Sequence, residues 1–244
     1  MKLRTGPALL FLVLAPAMAL LVIYSKLEQL NFTSNKKTLK VWYSMPKKIT
    51  KETQLLFVMH GVKRNGEDYC KAWVPYVESK NLMVVVPEFS NEQFPGSSKY
   101  NLANMSKNSR EFNKPETWNF FIIEELFSQL KKRFKLSNKR YSIFGHSAGA
   151  QFVHRFVMFG DSPNLDLAIS ANAGFYTFPH KDVAFPYGIK GLPNGQTLCQ
   201  QALNKKMVIL LGDKDTDPNH KYLRKTPEAM AQGKHRFERG KSFF

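Results

Sequence analysis

Cysteine is scarce in this chain of 244 residues: only Cys70 and Cys199 occur. Two thiols cannot build a disulfide framework, and a cysteine-only metal site usually takes about four ligands. Both cysteines sit in helix-like apolar stretches and are expected as buried free thiols. Acidic residues are also few, 19 against 36 lysines and arginines, which gives a formal net charge of +17. Internal repeats and nucleic-acid-binding modules are absent, and no motif indicates a metal or an organic cofactor. With 43% hydrophobic and 23% charged residues, a disordered or collagen-like chain is excluded. The length suits one core, an α/β domain of about 200 residues, better than two.

The positive charge is concentrated in runs. Residues 36–51 carry six lysines and no acid, and residues 131–140 carry six basic residues and no acid. Such runs form a solvated basic surface or dock on an anionic partner. Aromatic residues are not interleaved with them as base stacking would need, so no nucleic-acid partner is expected.

Residues 6–24 contain no charge, follow Lys2 and Arg4, and precede Lys26. A basic start and an apolar core indicate an export signal or a membrane anchor, and not part of the fold. Ala17-Met18-Ala19 has the small-x-small form of a cleavage site, yet the run continues to 19 residues, close to the ~20 that span a bilayer. The basic start favours an anchor with its N-terminus inside. The chain therefore divides into a signal or anchor at 1–25, a polar linker at 26–38 and a folded domain at 39–244, exported and membrane-anchored, periplasmic or secreted.

Within the domain, apolar runs at 54–60 and 82–86 have the pattern of strands buried on both faces. Shorter strands are expected at 39–44, 141–144, 167–171 and 207–211. Helices are expected at 67–79, at 115–134 and at 148–159. In the second of these Trp118, Ile122, Leu126 and Leu130 recur every four residues, with Lys131, Lys132 and Arg133 in the last turn. Strand and helix alternate, which predicts an α/β fold with a mostly parallel sheet covered on both faces.

Gly145-His146-Ser147-Ala148-Gly149 matches G-x-S-x-G, after the strand Tyr-Ser-Ile-Phe and before a helix. In that context a serine stands on a strained strand-to-helix turn with its hydroxyl clear of the sheet. Side chains two residues before and after it would collide, hence the two glycines. A nucleophilic serine needs an oxyanion hole. The Ala148 amide, at a helix N-terminus, supplies one donor, and the loop His60-Gly61-Val62 after a buried strand supplies a second from Val62. His60 reads as a brace for that loop, because the order after such a turn is serine, acid, then histidine. The acid should follow the last strand. There Gly212-Asp213-Lys214-Asp215-Thr216-Asp217-Pro218 offers Asp215 first and Asp217 second.

These residues resemble the α/β-hydrolase superfamily and, within it, the poly(3-hydroxybutyrate)-depolymerase-like and related esterase proteins. The similarity extends over about residues 39–244. It rests on His60-Gly61, Val86-Pro87-Glu88-Phe89, Phe94-Pro95-Gly96, the string from Gly145 to Phe152, Asn172-Ala173-Gly174, and the string from Leu211 to Asn219. The resemblance implies ester hydrolysis through an acyl-enzyme, with Ser147 as nucleophile and Asp215 orienting a histidine. It also implies that this histidine follows one more helix and one more strand. Here the expected helix, from about Thr226, is still running at Phe244, so the sequence looks truncated before the closing strand and the base. His220, His235, His154 and His180 lack the required context. A catalytically impaired domain of the same fold, binding acyl or polymeric ligands, is the alternative. The aromatic stretch 174–193 either walls an acyl pocket or packs over the sheet rim.

Overall fold

The structure, a computed structural model, describes residues 25–108 and 111–243. The uncharged run 6–24, and with it the signal or anchor, lies outside the described residues. Among those residues no helix is long and apolar enough to cross a membrane.

Seven strands form one sheet: β1 (Glu28–Ser34), β2 (Lys37–Ser44), β3 (Gln54–Met59), β4 (Leu82–Glu88), β5 (Tyr141–His146), β6 (Leu165–Ala171) and β7 (Met207–Leu210). Their order across the sheet is β1-β2-β4-β3-β5-β6-β7. β2 is antiparallel to both neighbours, and the five strands from β4 to β7 are mutually parallel. The helices are α1 (Gly66–Val77), α2 (Gly96–Lys99), α3 (Phe121–Phe134), α4 (Ala148–Phe159), α5 (Gly195–Ala202), α6 (Pro227–Ala231) and α7 (Arg236–Phe243).

The run in β3 is apolar throughout because it serves two cores. Leu55, Phe57 and Met59 point to a large core with residues of α3 and α4. Leu56 and Val58 point the other way, to a smaller core with Cys70 and Val77 of α1. α4 is buried along its whole length, which suits a helix that is apolar all round. It starts at the C-terminal end of β5 and so fixes where the serine stands.

Cover on both faces does not extend across the whole sheet. The row Val58–Phe144–Ile169–Val208 crosses β3, β5, β6 and β7 on the α1 side. It passes from full burial at Val58 to 41% exposure at Val208, and Leu210 is 47% exposed.

The polar stretch expected as a linker is instead an edge strand. In β1, Leu30 and Phe32 face inward and alternate with exposed Gln29, Asn31 and Thr33, the pattern of a strand with one wet face. Asn35 and Lys36, both at positive φ (46° and 62°), close the hairpin to β2. The helix expected at 115–134 is broken. A 3-10 turn at Pro115–Thr117 precedes an extended Trp118, whose indole donates to the Asn113 carbonyl at 3.0 Å, and only then does α3 begin. Beyond Thr226 the single expected helix is two short ones, α6 and α7, separated at Gly233 with φ 152°. α5, around Cys199, packs Leu198, Cys199 and Ala202 against the large core.

Cys70 and Cys199 are free thiols; Cys70 is buried, whereas Cys199 is only half-buried. Burial pushes the Cys70 thiol up to about 12, so it stays protonated and inert.

Candidate active site

The five-residue turn has the geometry its glycines imply. Ser147 sits at φ 57° and ψ −111°, a strained backbone for a residue with a side chain. Its amide donates to the Ala171 carbonyl at 3.0 Å, and its carbonyl accepts from Gln151 at 3.2 Å, so both sides of the strained residue are held. A Cβ on Gly145 would lie 2.3 Å from the Gly149 carbonyl oxygen, and one on Gly149 would lie 2.0 Å from that of Met59. This turn is therefore packed directly on the end of β3. That packing brings Ser147 beside the loop that follows β3.

The loop is braced as a unit. His60 is buried and neutral: the Phe89 amide donates to its Nε2 at 3.0 Å, so its proton is on Nδ1, 3.1 Å from the Gly61 carbonyl. The Tyr100 hydroxyl donates to the His60 carbonyl at 2.7 Å. Arg64 stacks on the Tyr100 ring and donates to the Phe89 carbonyl and, at 2.9 Å, to that of Gly96. The segments Val86–Phe89 and Phe94–Gly96 therefore shape the loop from outside the site. The Val62 amide has no hydrogen-bond partner among the described residues and remains free to donate.

Burial drives the His60 pKa down to about 4, against the opposing bond to Gly61. Burial also lowers those of His146 and His154. An unfolded histidine takes up a proton near pH 6.5, whereas folded His60 does not until about 4. The stabilisation is thus complete above pH 6.5 and is lost as the pH falls toward 4. By pH 5 His60 alone should cost the folded state about 2 kcal/mol. Urea midpoints should fall steadily from pH 7.5 to 5; identical midpoints over that range would contradict neutral buried histidines.

Ser147, Val62 and Asp215 line one cavity of about 400 Å³, with Tyr69, His146, Asn172, His220 and Arg236. Asn172, at φ 53°, ties the loops after β6 and β7 together: its amide donates to the Leu210 carbonyl at 2.9 Å, and its side-chain oxygen accepts from the Gly212 amide at 2.7 Å. This sets the start of the acidic loop, and Asp215 turns inward from it. Asp217 does not: it is exposed and accepts from the Asn219 amide at 2.8 Å, capping its own turn.

The carboxylate of Asp215 is held by an arginine. Arg236, the first residue of α7, donates to Asp215 Oδ1 at 2.9 Å and to His220 Nδ1 at 3.0 Å. His220 Nδ1 also accepts from the Tyr222 amide at 3.2 Å, so its proton is on Nε2. A base for Ser147 needs the opposite tautomer, with Nδ1–H donated to the acid and Nε2 open. His146 Nδ1 is hydrogen-bonded to the Tyr69 hydroxyl at 2.8 Å, away from Ser147. Among the described residues, no histidine bonds to both Ser147 and Asp215. His154 is buried against the Ala150 carbonyl and the Thr177 amide, His180 is exposed, and His235 accepts from the Glu238 amide at the start of α7.

The aromatic stretch is packing. Phe175, Tyr176, Phe185 and Tyr187 are all buried and line no part of the serine cavity. Arg155, fully buried, lies 4.9 Å from the centre of the Phe175 ring and pins Thr177 at 2.8 Å. Arg236 and Tyr69 join the site although no motif points to them. The sequence holds no local signal for Arg236, 21 residues past Asp215; Tyr69 is visible there only as one apolar position of α1.

The Esterase family model matches residues 36–153, from the β1–β2 hairpin through half of α4. No curated protein matches. Among solved structures, poly(aspartic acid) hydrolase-1 from Sphingomonas sp. KT-1 is 42% identical with a TM-score of 0.85, over 91% of this chain and 84% of that one. The poly(3-hydroxybutyrate) depolymerase LpqC from Bordetella parapertussis is 27% identical with a TM-score of 0.84, over 90% of this chain and 75% of that one. With this sheet order, this turn and these relatives, the chain belongs to the α/β-hydrolase superfamily, in its poly(3-hydroxybutyrate)-depolymerase-like and esterase-like branch.

Proposed function

We propose that the protein hydrolyses carboxylic esters through an acyl-enzyme on Ser147. The observation that carries this is the strained Ser147, opening into the same cavity as the free Val62 amide and the Asp215 carboxylate. Ser147 Oγ would attack the ester carbonyl, passing its proton to a base, while the Val62 and Ala148 amides take up the charge that develops on the carbonyl oxygen. The alcohol leaves with that proton, and water then releases the acid from the serine. Asp215 would orient the base, so turnover requires Arg236 to give up the carboxylate to an imidazole. Esters within polymers are reasonable substrates, given a relative named for the polyester poly(3-hydroxybutyrate); the relative named for poly(aspartic acid), a polyamide, supports a polymeric substrate and not the ester bond. The uncharged run 6–24 behind Lys2 and Arg4 supports export and membrane anchoring of the enzyme.

A second function, binding of acyl or polymeric ligands without turnover, is favoured by one observation, the Arg236–Asp215 ion pair. Incubation with a fluorophosphonate and peptide mass analysis separates the two. Covalent label on Ser147 is expected for the hydrolase; an unlabelled Ser147 under conditions that label a control serine esterase would leave the binding domain.

A further inference from the structure

The five parallel strands all begin at one edge of the sheet and end at the other. Ser147 follows β5 at the second edge, whereas Arg140 precedes β5 at the first. At a rise of ~3.3 Å per residue the two lie about 20 Å apart. β2 runs the opposite way and ends at the Arg140 edge, where Ser44 pairs with Val84. The loops that lead into β3, β4, β5 and β7 therefore meet on the side away from the serine cavity.

Hydrogen bonds join these loops into one surface. The Asn138 side chain donates to the Thr53 carbonyl at 2.7 Å, and the Thr53 hydroxyl donates to the Asn81 side chain at 2.8 Å. Two basic runs that are distant in sequence thereby become neighbours. Lys47, Lys48 and Lys51 come from one, Lys135, Lys139 and Arg140 from the other, and all six are exposed. Lys80 and Lys206, also exposed, extend the surface toward β4 and β7. Four acids lie at this edge. Glu52 pairs with Lys51 at 3.7 Å, Asp166 lies between Arg140 and Lys206 at 3.8 and 3.7 Å, and Glu78 accepts from the Lys47 amide at 3.0 Å. Asp161 stands apart from them, so the surface stays strongly positive.

Two further observations point to lipid. Ser25, which directly follows the uncharged run 6–24, is buried at this edge and donates to Glu78 Oε1 at 2.9 Å. The run thus joins the domain on the basic surface. Leu203 is 85% exposed and Tyr76 52%, the two most exposed large apolar side chains among the described residues. Both border the same edge, Leu203 in the loop before β7 and Tyr76 in the last turn of α1. Apolar side chains beside lysines suit the boundary between headgroups and acyl chains, and add nothing to contacts with nucleic-acid phosphates.

We propose that this edge is a membrane-docking face, which seats the domain on anionic phospholipid headgroups and turns the serine cavity toward solution. The lysines and arginines meet the headgroup phosphates, while Leu203 and Tyr76 reach the acyl boundary. The Debye length at physiological salt is ~8 Å, so a serine edge about 20 Å away feels little of the lipid charge. The role is independent of chemistry at Ser147.

The test is hydrogen exchange of the full chain on two kinds of vesicle, phosphatidylcholine alone and equimolar phosphatidylcholine and phosphatidylglycerol. On the anionic vesicles, exchange at 45–53, 135–140 and 203–206 should slow about fivefold or more relative to phosphatidylcholine, and high salt should remove the difference. Exchange at 61–66 and 212–216, beside the serine, should not change. Replacing four exposed lysines together, as Lys47→Gln, Lys48→Gln, Lys51→Gln and Lys139→Gln, should return the anionic-vesicle rates to those on phosphatidylcholine. Exchange of this variant free in solution should match wild type, which separates lost docking from lost folding. Leu203→Ser should weaken the protection on vesicles as well. Equal exchange on the two kinds of vesicle overturns the docking face, as does protection at 61–66 instead, or protection that survives the four substitutions. Protection of the same loops by duplex DNA, with none from anionic vesicles, would assign the surface to nucleic acid and overturn the lipid reading.

Discussion

With a base in place beside Ser147, its replacement by alanine is expected to lower ester turnover by a factor on the order of 10⁴ or more. In the proposed mechanism the Ser147 hydroxyl oxygen forms the acyl bond, and neither cysteine can replace it. Cys70 and Cys199 line no part of the cavity, and the Tyr69 hydroxyl is hydrogen-bonded to His146 Nδ1 at 2.8 Å. The oxyanion amides and the cavity would survive, because Ser147 contributes its backbone, not its side chain, to the turn. What remains should be the modest acceleration that positioning and charge stabilisation give without a nucleophile. The comparison that gives the result its meaning is His220→Ala. With Nδ1 accepting from both Arg236 and Tyr222, His220 is in the wrong tautomer to serve as base, and its removal should leave turnover near the wild-type value. Rates on a short aryl ester, measured for both variants beside the wild type, decide the assignment. If His220→Ala is as inactive as Ser147→Ala, then His220 is the base and the Arg236 contact is displaced during turnover.

The serine and its two glycines are legible in the amino-acid sequence, and for one reason. Each is fixed by a local constraint: a buried strand of period-free apolar residues, then a turn too tight for side chains, then a helix. The same holds for His60, whose bracing role follows from its place directly after β3. The choice between Asp215 and Asp217 is harder to read, because both sit on one loop. In the structure Asp215 lines the serine cavity and Asp217 is exposed, a difference set by the course of the loop beyond Gly212, whose start is held by Asn172 from another loop. The elements that sequence patterning misses share the opposite cause. β1 has only two large apolar residues, Leu30 and Phe32, so its polar outer face looks like linker, and it is a strand because β2 is there to pair with. The helix before α3 breaks because the Trp118 indole and the Asn119 amide find carbonyls at Asn113 and Ala103. The aromatic stretch 174–193 looks able to line a pocket, yet buried Arg155 draws it into the core. Arg236 joins Asp215 and His220 through side chains more than a dozen residues apart, which no local pattern encodes.

Gly149→Ala should be among the most damaging single substitutions in the chain, although helix propensity argues the other way. Gly149 is the second residue of α4, and alanine there would favour the helix by about 1 kcal/mol. Against this, the new Cβ would lie 2.0 Å from the Met59 carbonyl oxygen, 2.5 Å from its carbon and 2.8 Å from the His60 oxygen. All three are backbone atoms at the end of a central strand, so no side-chain rotation relieves the contact. Either α4 lifts from β3 or β3 shifts within the sheet. Overpacking of this kind costs about 3 kcal/mol or more where the backbone must move, against a total stability of about 5–15 kcal/mol for a domain. Sterics therefore outweigh propensity. Gly195→Ala is the milder comparison: it also opens a helix, α5, but its Cβ would approach no atom nearer than the Ile189 and Leu192 Cβ atoms at 3.3 Å, which need give only a few tenths of an ångström. Its urea midpoint should change far less than that of Gly149→Ala. The midpoint of Gly149→Ala should fall steeply, and any folded fraction should label slowly at Ser147, because a lifted α4 carries the Ala148 amide away from the cavity. Equal midpoints for the two variants would mean that α4 does not rest on β3 as the packing at Gly149 requires.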